Sequence, residues 1–198
     1  MASPYQDISD TNWMQITEGL IEQHPLPMDE LVDVVVKSWD SIFASRFGTA
    51  GFMIGTQIFP KPQIMGFLLH ELIPLELASR HHGLWRVDKE KQDKDCVYTP
   101  DDYFSFEIKT SSNATKIFGN RSYAHTSTSG SKARNGFYLT VNFEKFEKTN
   151  HKPNIKLIRF GWLDAVDWRG QKSSTGQQSN LPPEVYAGKL KVIYRSEK

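Results

Sequence analysis

Two charged residues, Glu107 and Lys109, stand one residue apart on a segment in which apolar and polar residues alternate. A period of two over residues 103–110 predicts a half-buried β-strand. Its two predicted faces carry Phe104, Phe106 and Ile108 on one side and Ser105, Glu107 and Lys109 on the other. A carboxylate and an ammonium are therefore expected to project from the same face of one strand.

A second carboxylate, that of Asp95, is expected to lie opposite Glu107. Residues 95–99 form another strand candidate, and Pro100, Asp101 and Asp102 have the composition of a turn. A turn centred near Asp101 opposes residues whose numbers add up to about 202, with Cβ atoms ~5 Å apart on one face. Asp101 itself falls in the turn, so the sequence favours Asp95 as the partner of Glu107.

Two carboxylates and a lysine in this arrangement suit a metal ion and a phosphodiester. Mg²⁺ commonly binds one or two carboxylates together with water and phosphate oxygens. A neighbouring ammonium can orient or deprotonate the attacking water and neutralise charge on the phosphorus. We therefore predict that Asp95 and Glu107 bind Mg²⁺ and that Lys109 assists hydrolysis without a covalent intermediate.

The Glu107-x-Lys109 triplet is a weak signal by itself, because an acidic residue two positions before a lysine is expected about once by chance in a chain of this size. Its position on a patterned strand opposite an acid strengthens it. The alternative is a Glu–Lys pair on the solvated face of an edge hairpin, which would contribute little to stability.

Composition indicates one ordinary globular domain over residues 1–198. The chain has 198 residues, 38% of them hydrophobic, and a single cysteine, Cys96. One cysteine excludes an internal disulfide framework and fits a reducing compartment. The start of the chain lacks the pattern of a signal peptide, and no apolar run approaches the ~20 residues of a membrane span. We expect a soluble cytoplasmic protein.

Basic residues are concentrated in one part of the chain, although the net charge is only +1. Residues 108–143 contain no Asp or Glu. The basic residues of this stretch are Lys109, Lys116, Arg121, Lys132 and Arg134. A stretch of one sign is a candidate surface for the phosphates of DNA. The alternative is a Ser/Thr-rich loop that happens to be basic.

A second candidate nucleic-acid surface lies in residues 164–180, which are rich in side-chain amides. Asn and Gln can read adenine in the major groove, and Arg reads guanine. The candidate base readers are Arg169, Gln171, Gln177 and Gln178. A polar surface loop would explain the same composition.

Helices are predicted at residues 11–23, 28–46 and 63–73, with Pro74 as a kink or an end. The third helix carries Glu71 among apolar residues. A buried acid is costly unless it is paired or binds a metal, so Glu71 is either a third carboxylate beside Asp95 and Glu107 or a paired or solvated flank. The neighbouring His70 lacks the spacing of an HExxH zinc helix.

Further strands are predicted at residues 84–87, 137–143, 155–163 and 190–194. Together with the helices and the hairpin, they indicate an α/β fold with a central sheet and the candidate metal site at one edge of its centre. Residues 1–50 form a helical N-terminal region, and residues 59–198 contain the candidate catalytic core.

With these motifs the chain resembles the PD-(D/E)xK nuclease superfamily and, within it, the ScaI-type type II restriction endonucleases. The stretches that carry the resemblance are FPKPQIMGFLLHELIPLELA (59–78), KDCVYTPDDYFSFEIKTSS (94–112), FGNRSYA (118–124), NGFYLTVNF (135–143), IRFGWLDAVDW (158–168) and TGQQ (175–178). One departure from the superfamily pattern is that Lys94, and not proline, precedes Asp95.

The resemblance implies a central mixed sheet flanked by helices, and Mg²⁺-dependent cleavage of double-stranded DNA at a short, palindromic sequence. It further implies a homodimer, 5′-phosphate ends and a cognate DNA methyltransferase in the same prokaryotic system. By resemblance, Asp95 and Glu107 are metal ligands, Lys109 is the catalytic lysine and Glu71 is an outer metal carboxylate. Within FGNRSYA, Asn120, Arg121 and Ser122 become DNA-binding candidates.

Two other functions remain open from the residues. A structure-selective or repair nuclease would use the same three residues without base readers, and a DNA-binding module would carry Glu107 and Lys109 as a solvated pair. Serine hydrolase chemistry and phosphate-loop nucleotide binding lack support, because the chain contains neither G-x-S-x-G nor G-x-x-x-x-G-K-[ST].

Overall fold

The computed structural model describes residues 2–120, 134–171 and 176–197. The helices in these ranges are α1 (Trp13–Glu22), α2 (Met28–Ala44), α3 (Pro62–Arg80) and α4 (Pro183–Gly188). The strands are β1 (Arg46–Phe47), β2 (Phe52–Met53), β3 (Trp85–Val87), β4 (Cys96–Tyr98), β5 (Phe106–Ser111), β6 (Phe118–Asn120), β7 (Gly136–Phe143), β8 (Ile155–Leu163), β9 (Arg169–Gly170), β10 (Gln178–Asn180) and β11 (Leu190–Arg195). The predicted α/β class is confirmed.

Six strands form a mixed central sheet in the order β11-β8-β7-β5-β4-β3. Strands β5 and β7 are parallel, and the other neighbouring pairs of this sheet are antiparallel. The central strands β7 and β8 are buried along almost their whole length, which agrees with the bulky side chains on both of their faces. The strands predicted outside the hairpin are confirmed.

The first two predicted helices are confirmed as α1 and α2, but α3 continues past Pro74 to Arg80. Pro74 was predicted to be a kink or an end of the helix, and the second of these alternatives is therefore wrong. Ile73, Pro74 and Leu77 are all buried against the sheet. Burying a large apolar side chain stabilises by about 1.5–3 kcal/mol, which offsets the lost hydrogen bond at an interior proline. Within the described ranges, no helix is long and apolar enough to cross a membrane.

The N-terminal helices pack into the same hydrophobic core as the sheet. This core joins Tyr5 and Ile21 of the N-terminal region to Phe160 and Trp162 of β8. The link between α1 and α2 also enters the core, because His24 packs edge-on against Phe160 with ring centroids 4.9 Å apart. Residues 1–50, which contain none of the stretches that carry the family resemblance, therefore help to build the core that supports the sheet.

His24 is buried as a neutral imidazole and should make stability depend on pH. Its Nδ1 accepts a hydrogen bond from the Leu26 amide, so its Nε2 carries the proton and donates to the Phe104 carbonyl. Burial lowers the pKa of His24 to about 4, against the opposing effect of the hydrogen bond to Phe104. Below pH 6.5 the unfolded chain binds a proton that the folded protein does not.

We therefore expect the free energy of unfolding to fall by about 3 kcal/mol between pH 6.5 and pH 4 through this group. Urea unfolding across this range measures the change, and a His24→Gln variant should show a shallower slope. An equal slope in the two proteins would contradict the assignment of the pH dependence to His24.

A smaller sheet stands beside the central one, with the order β6-β10-β9. Its strand β6 is far in the chain from β9 and β10, and all its pairs are antiparallel. A second apolar cluster joins it to the central sheet through Trp168, Tyr138 and Leu163. Gly119 of β6 lies where a Cβ would be 2.7 Å from Ser179 Oγ, so only glycine allows this close approach.

Candidate active site

The predicted hairpin is present, with the predicted register. Strands β4 and β5 are antiparallel, and Cys96 pairs with Phe106, so the numbers of opposed residues add up to 202. The turn contains a short 3₁₀ helix over Asp102–Phe104, and the Asp101 side chain accepts a hydrogen bond from the Tyr103 amide. Asp101 thus stabilises the turn, and Asp95 lies opposite Glu107 as predicted.

Two details of the predicted strand are wrong. Phe104 belongs to the 3₁₀ turn and not to the strand, because β5 begins at Phe106. The strand is also not half-buried at its start, since Glu107 is only 1% exposed. On this face Glu107 has the buried Lys94 ammonium beside it and Tyr138 as its neighbour on β7.

Asp95 is fixed from two directions. Its Oδ2 accepts a hydrogen bond from the Ile108 amide at 2.7 Å and lies 3.1 Å from His70 Nε2. Burial alone raises the pKa of Asp95, but the hydrogen bond from His70 and the charge of Lys109 outweigh it and hold that pKa well below its ordinary value. Asp95 is therefore an ionised carboxylate in a buried position.

Glu107 and Lys109 lie on the same face of β5 and contact each other. Lys109 Nζ is 3.4 Å from Glu107 Oε2 and 4.0 Å from Asp95 Oδ2. It also donates a hydrogen bond to the Ile108 carbonyl at 3.2 Å. The structure thus brings the two predicted carboxylates and the predicted lysine together, and the side chains are too buried for the alternative of a solvated edge pair.

On α3 it is the side chain of His70, and not that of Glu71, that contacts Asp95. His70 Nε2 contacts Asp95 and the Ile108 carbonyl, which is 3.0 Å away, so this nitrogen carries a proton and holds both groups. Burial lowers the pKa of His70, but the bond to Asp95 and its charge more than compensate and raise it. Glu71 is exposed. The expectation that Glu71 lies in apolar surroundings is wrong, and its position fits the alternative of a solvated flank.

Helical phase explains this correction. The buried residues Leu69, Ile73 and Leu77 mark the side of α3 that faces the sheet. Successive helical residues are rotated by about 100°, which turns position 71 to the solvent when position 69 and 73 are buried. The sequence alone did not define this phase, because α3 also carries large apolar residues on its exposed side, among them Phe67 and Leu75.

An open cleft of about 850 Å³ adjoins this cluster through His70, which lines the cleft and contacts Asp95. One wall is the N-terminal half of α3, from Pro62 to His70, and the other is the end of β5 with the chain that follows it, from Thr110 to Ala114. Gln178 of the small sheet also lines the cleft. The cleft therefore connects the surroundings of Asp95 with one of the predicted base readers.

The small sheet gathers several predicted DNA-binding residues from distant parts of the chain. Gln178 pairs with Asn120 across β10 and β6. Gln171 bonds to Gln178 through its backbone amide, and the side chains of the two glutamines are 3.4 Å apart. Arg169 lies on β9 and forms an exposed ion pair with Glu184 at 3.1 Å. The candidate base readers therefore lie on or beside the short strands of the small sheet, and their contact with bases stays a prediction.

The other predicted DNA-binding residues have separate positions. Lys116 and Gln177 are exposed, and Arg134 is half-buried beside Tyr138, whose hydroxyl donates to the Arg134 carbonyl. Arg121, Ser122 and Lys132 lie outside the described residues.

A family of restriction endonucleases matches almost the whole chain. The family model for the ScaI restriction endonuclease matches residues 3–194, and the chain belongs to this family. The chain is also similar to the type II restriction enzyme ScaI of Streptomyces caespitosus, with 50% identity over 194 residues that cover 97% of this chain and 85% of the relative. No solved structure matches the chain.

Proposed function

We propose that Asp95, Glu107 and Lys109 form the Mg²⁺-dependent active site with which this type II restriction endonuclease hydrolyses phosphodiester bonds in double-stranded DNA. The observation that carries the proposal is the convergence of two buried carboxylates and one ammonium on a single hairpin beside an open cleft. The family membership supports the same reaction.

The residues present fit Mg²⁺ better than a metal held entirely by protein. Within the described ranges, no group of three or more His, Cys, Asp or Glu side chains is placed to hold a metal. Mg²⁺ is usually bound through one or two carboxylates and keeps several waters or phosphate oxygens. Asp95 and Glu107 would supply the two carboxylates, and the role of Glu71 as an outer carboxylate stays a prediction.

Each protein group has a defined task in the proposed reaction. Bound Mg²⁺ would act as a Lewis acid on the phosphate and lower the pKa of the attacking water. Lys109, beside both carboxylates, would stabilise the negative charge that develops on the phosphate oxygens. The Ile108 amide and His70 hold Asp95 in place. A carboxylate that is already fixed does not have to reorganise when the substrate binds.

We assign the fold to the PD-(D/E)xK nucleases. The support is a mixed sheet flanked by helices, with the acid directly before β4 and the Glu-x-Lys triplet on the adjacent antiparallel strand β5. Lys94 in place of the motif's proline does not disturb this arrangement, because Asp95 keeps its position opposite Glu107.

DNA is proposed to lie along the cleft, with the small sheet reading its bases. Gln178 supports this path because it belongs to the sheet and also lines the cleft. Beside it lie Asn120 on β6, Arg169 on β9 and Gln171 directly after β9. Gln177, Lys116, Arg121, Ser122, Lys132 and Arg134 remain candidates for further contacts to bases or phosphates.

A twofold-symmetric homodimer is proposed as the active form. Two identical sites related by a twofold axis would face the two antiparallel strands of DNA, and the symmetry of the protein would be mirrored in a palindromic target. We further propose that the enzyme leaves 5′-phosphate ends. A cognate methyltransferase would protect the host DNA in the bacterial cytoplasm.

Gln178 and Lys116 should affect DNA binding in different ways. Loss of a bidentate base contact costs about 1–3 kcal/mol of discrimination, so Gln178→Ala should reduce the preference for the cognate site. Lys116→Ala should weaken binding to all sequences. It should also reduce the slope of the logarithm of the binding constant against the logarithm of the salt concentration by about 1, which corresponds to one phosphate contact. Binding to cognate and scrambled duplexes at several salt concentrations separates the two effects. If Gln178→Ala weakens binding to both duplexes equally, Gln178 is not a base reader.

Cleavage of linear plasmid DNA with Mg²⁺ tests the proposed function. We expect discrete fragments whose sequenced ends share one short symmetric motif. Cleavage confined to branched or mismatched DNA would favour a structure-selective nuclease, and binding without cleavage would favour a non-catalytic module.

A further inference from the structure

We propose that Lys94 is a second cation of the active site and sets the affinity of the site for the divalent ion. It is a positioning residue, because it acts through Glu107, whose negative charge it balances. The proposal rests on the function proposed above for Asp95, Glu107 and Lys109. It goes beyond that function because it assigns a role to the residue that replaces the proline of the motif.

The burial of Lys94 is the first observation. It stands in a charged segment between Asp93 and Asp95, yet it is only 5% exposed. Lysine is almost never fully buried unless it is paired, because removing an ammonium from water is costly. A lysine that served only to keep the turn soluble would point outward.

The contacts of the Lys94 ammonium are the second observation. Its Nζ lies 3.8 Å from Glu107 Oε1, donates a hydrogen bond to the Asn135 carbonyl at 3.2 Å, and lies 5.6 Å from the centroid of the Tyr138 ring. Room for it is provided by Gly136, where a Cβ would come within 3.2 Å of both Cε and Nζ. The side chain is therefore directed at Glu107 by groups at the start of β7.

The two lysines divide the Glu107 carboxylate between them. Lys109 faces Oε2 at 3.4 Å, and Lys94 faces Oε1 at 3.8 Å. Together with Asp95, these four groups have a formal charge of zero without metal. The ionised Glu107 is thus stabilised before any ion arrives, and a divalent ion has to bind against the nearby positive charge of Lys94.

This arrangement predicts that bound Mg²⁺ can replace the positive charge of Lys94 beside Glu107. In a Lys94→Met variant, Glu107 loses one counter-charge, so thermal stability in EDTA should fall and Mg²⁺ should restore it. The Kd for Mg²⁺, measured by calorimetric titration of the full-length protein, should be about tenfold lower than in the wild type. Lys94→Arg keeps the charge and should keep the Kd within about twofold of the wild-type value.

Lys191→Met is the matched control, because Lys191 forms a surface ion pair with Glu18 at 2.9 Å. We expect this variant to leave both the Kd for Mg²⁺ and the stabilisation by Mg²⁺ unchanged. Glu107→Gln tests the site itself and should weaken the binding of Mg²⁺.

The outcomes separate the two proposals. If Glu107→Gln weakens Mg²⁺ binding while Lys94→Met leaves the Kd unchanged or raises it, the role of Lys94 is wrong and the active site stands. If Glu107→Gln has no effect on Mg²⁺ binding, both proposals fail. A Lys94→Met chain that folds only with Mg²⁺ supports this replacement of charge, and one that stays unfolded with Mg²⁺ overturns it.

Discussion

Replacing Glu107 with Gln is expected to slow DNA cleavage about a thousandfold, a loss of about 4 kcal/mol in transition-state stabilisation. The amide has the same size as the carboxylate, so the buried position of Glu107 remains filled. What is lost is the charge that faces Lys94 and Lys109 and that is proposed to bind Mg²⁺. Single-turnover cleavage of plasmid DNA with saturating Mg²⁺ measures the effect.

DNA binding should respond in the opposite direction. Without metal, the carboxylates of Asp95 and Glu107 repel the phosphate backbone, so removing one of them should leave binding intact or make it tighter. Asp95→Ala and Lys109→Ala are likewise expected to abolish cleavage while the fold persists. Loss of specific DNA binding in all three variants would contradict this separation of cleavage from binding.

Glu18→Gln is the control for these variants, because Glu18 is a half-exposed partner of Lys191 far along the chain from the hairpin. It removes one carboxylate in the same chemical way, and it should change the cleavage rate by less than about twofold. A similar loss of rate in Glu18→Gln and Glu107→Gln would mean that the effect arises from general destabilisation.

Replacing Lys189 with Ala is expected to destabilise the protein by about 3–5 kcal/mol, because it leaves two buried carboxylates without their cation. Lys189 is 3% exposed, and its Nζ lies 2.9 Å from Asp164 Oδ2 and 2.8 Å from Asp167 Oδ1. The same ammonium lies 4.4 Å from the centroid of the Tyr5 ring. It therefore ties the N-terminal region to the end of β8 and the start of β11.

The pKa of Asp167 shows why this carboxylate needs the charge of Lys189. Burial raises the pKa of Asp167 even though the charge of Lys189 opposes it. Urea unfolding measures the free-energy loss, with Lys191→Ala as the control. A surface ion pair contributes at most about 1 kcal/mol. The free energy of unfolding lost in Lys189→Ala should therefore be several-fold larger than that lost in Lys191→Ala. Equal losses would show that the buried cluster does not stabilise the fold.

The hairpin was predictable from the sequence because its determinants are local. The alternation around Glu107 defines the face, and the turn around Asp101 defines the register, so the opposition of Asp95 and Glu107 follows from residues close together in the chain. The choice of His70 over Glu71 was not available in the same way, because apolar residues such as Phe67 and Leu75 lie on the exposed side of α3 and obscure its helical phase.

The small sheet and the role of Lys94 were not predictable, because their determinants are distant in the chain. Asn120 and Gln178 become neighbours only when β6 pairs with β10, and short strands of three residues carry little pattern to specify a partner. Lys94 is buried because Asn135 and Gly136 receive it, and its own neighbours in sequence suggest an exposed turn.

Metal-directed cleavage of the polypeptide tests the central claim most directly. When Fe²⁺ is bound in place of Mg²⁺, ascorbate and peroxide cause it to cut the protein backbone beside its binding position. We predict scission next to Asp95 and next to Glu107, suppressed by excess Mg²⁺ and lost in Glu107→Gln. Scission elsewhere in the chain, or an unchanged pattern in Glu107→Gln, would contradict the assignment of the metal to this hairpin.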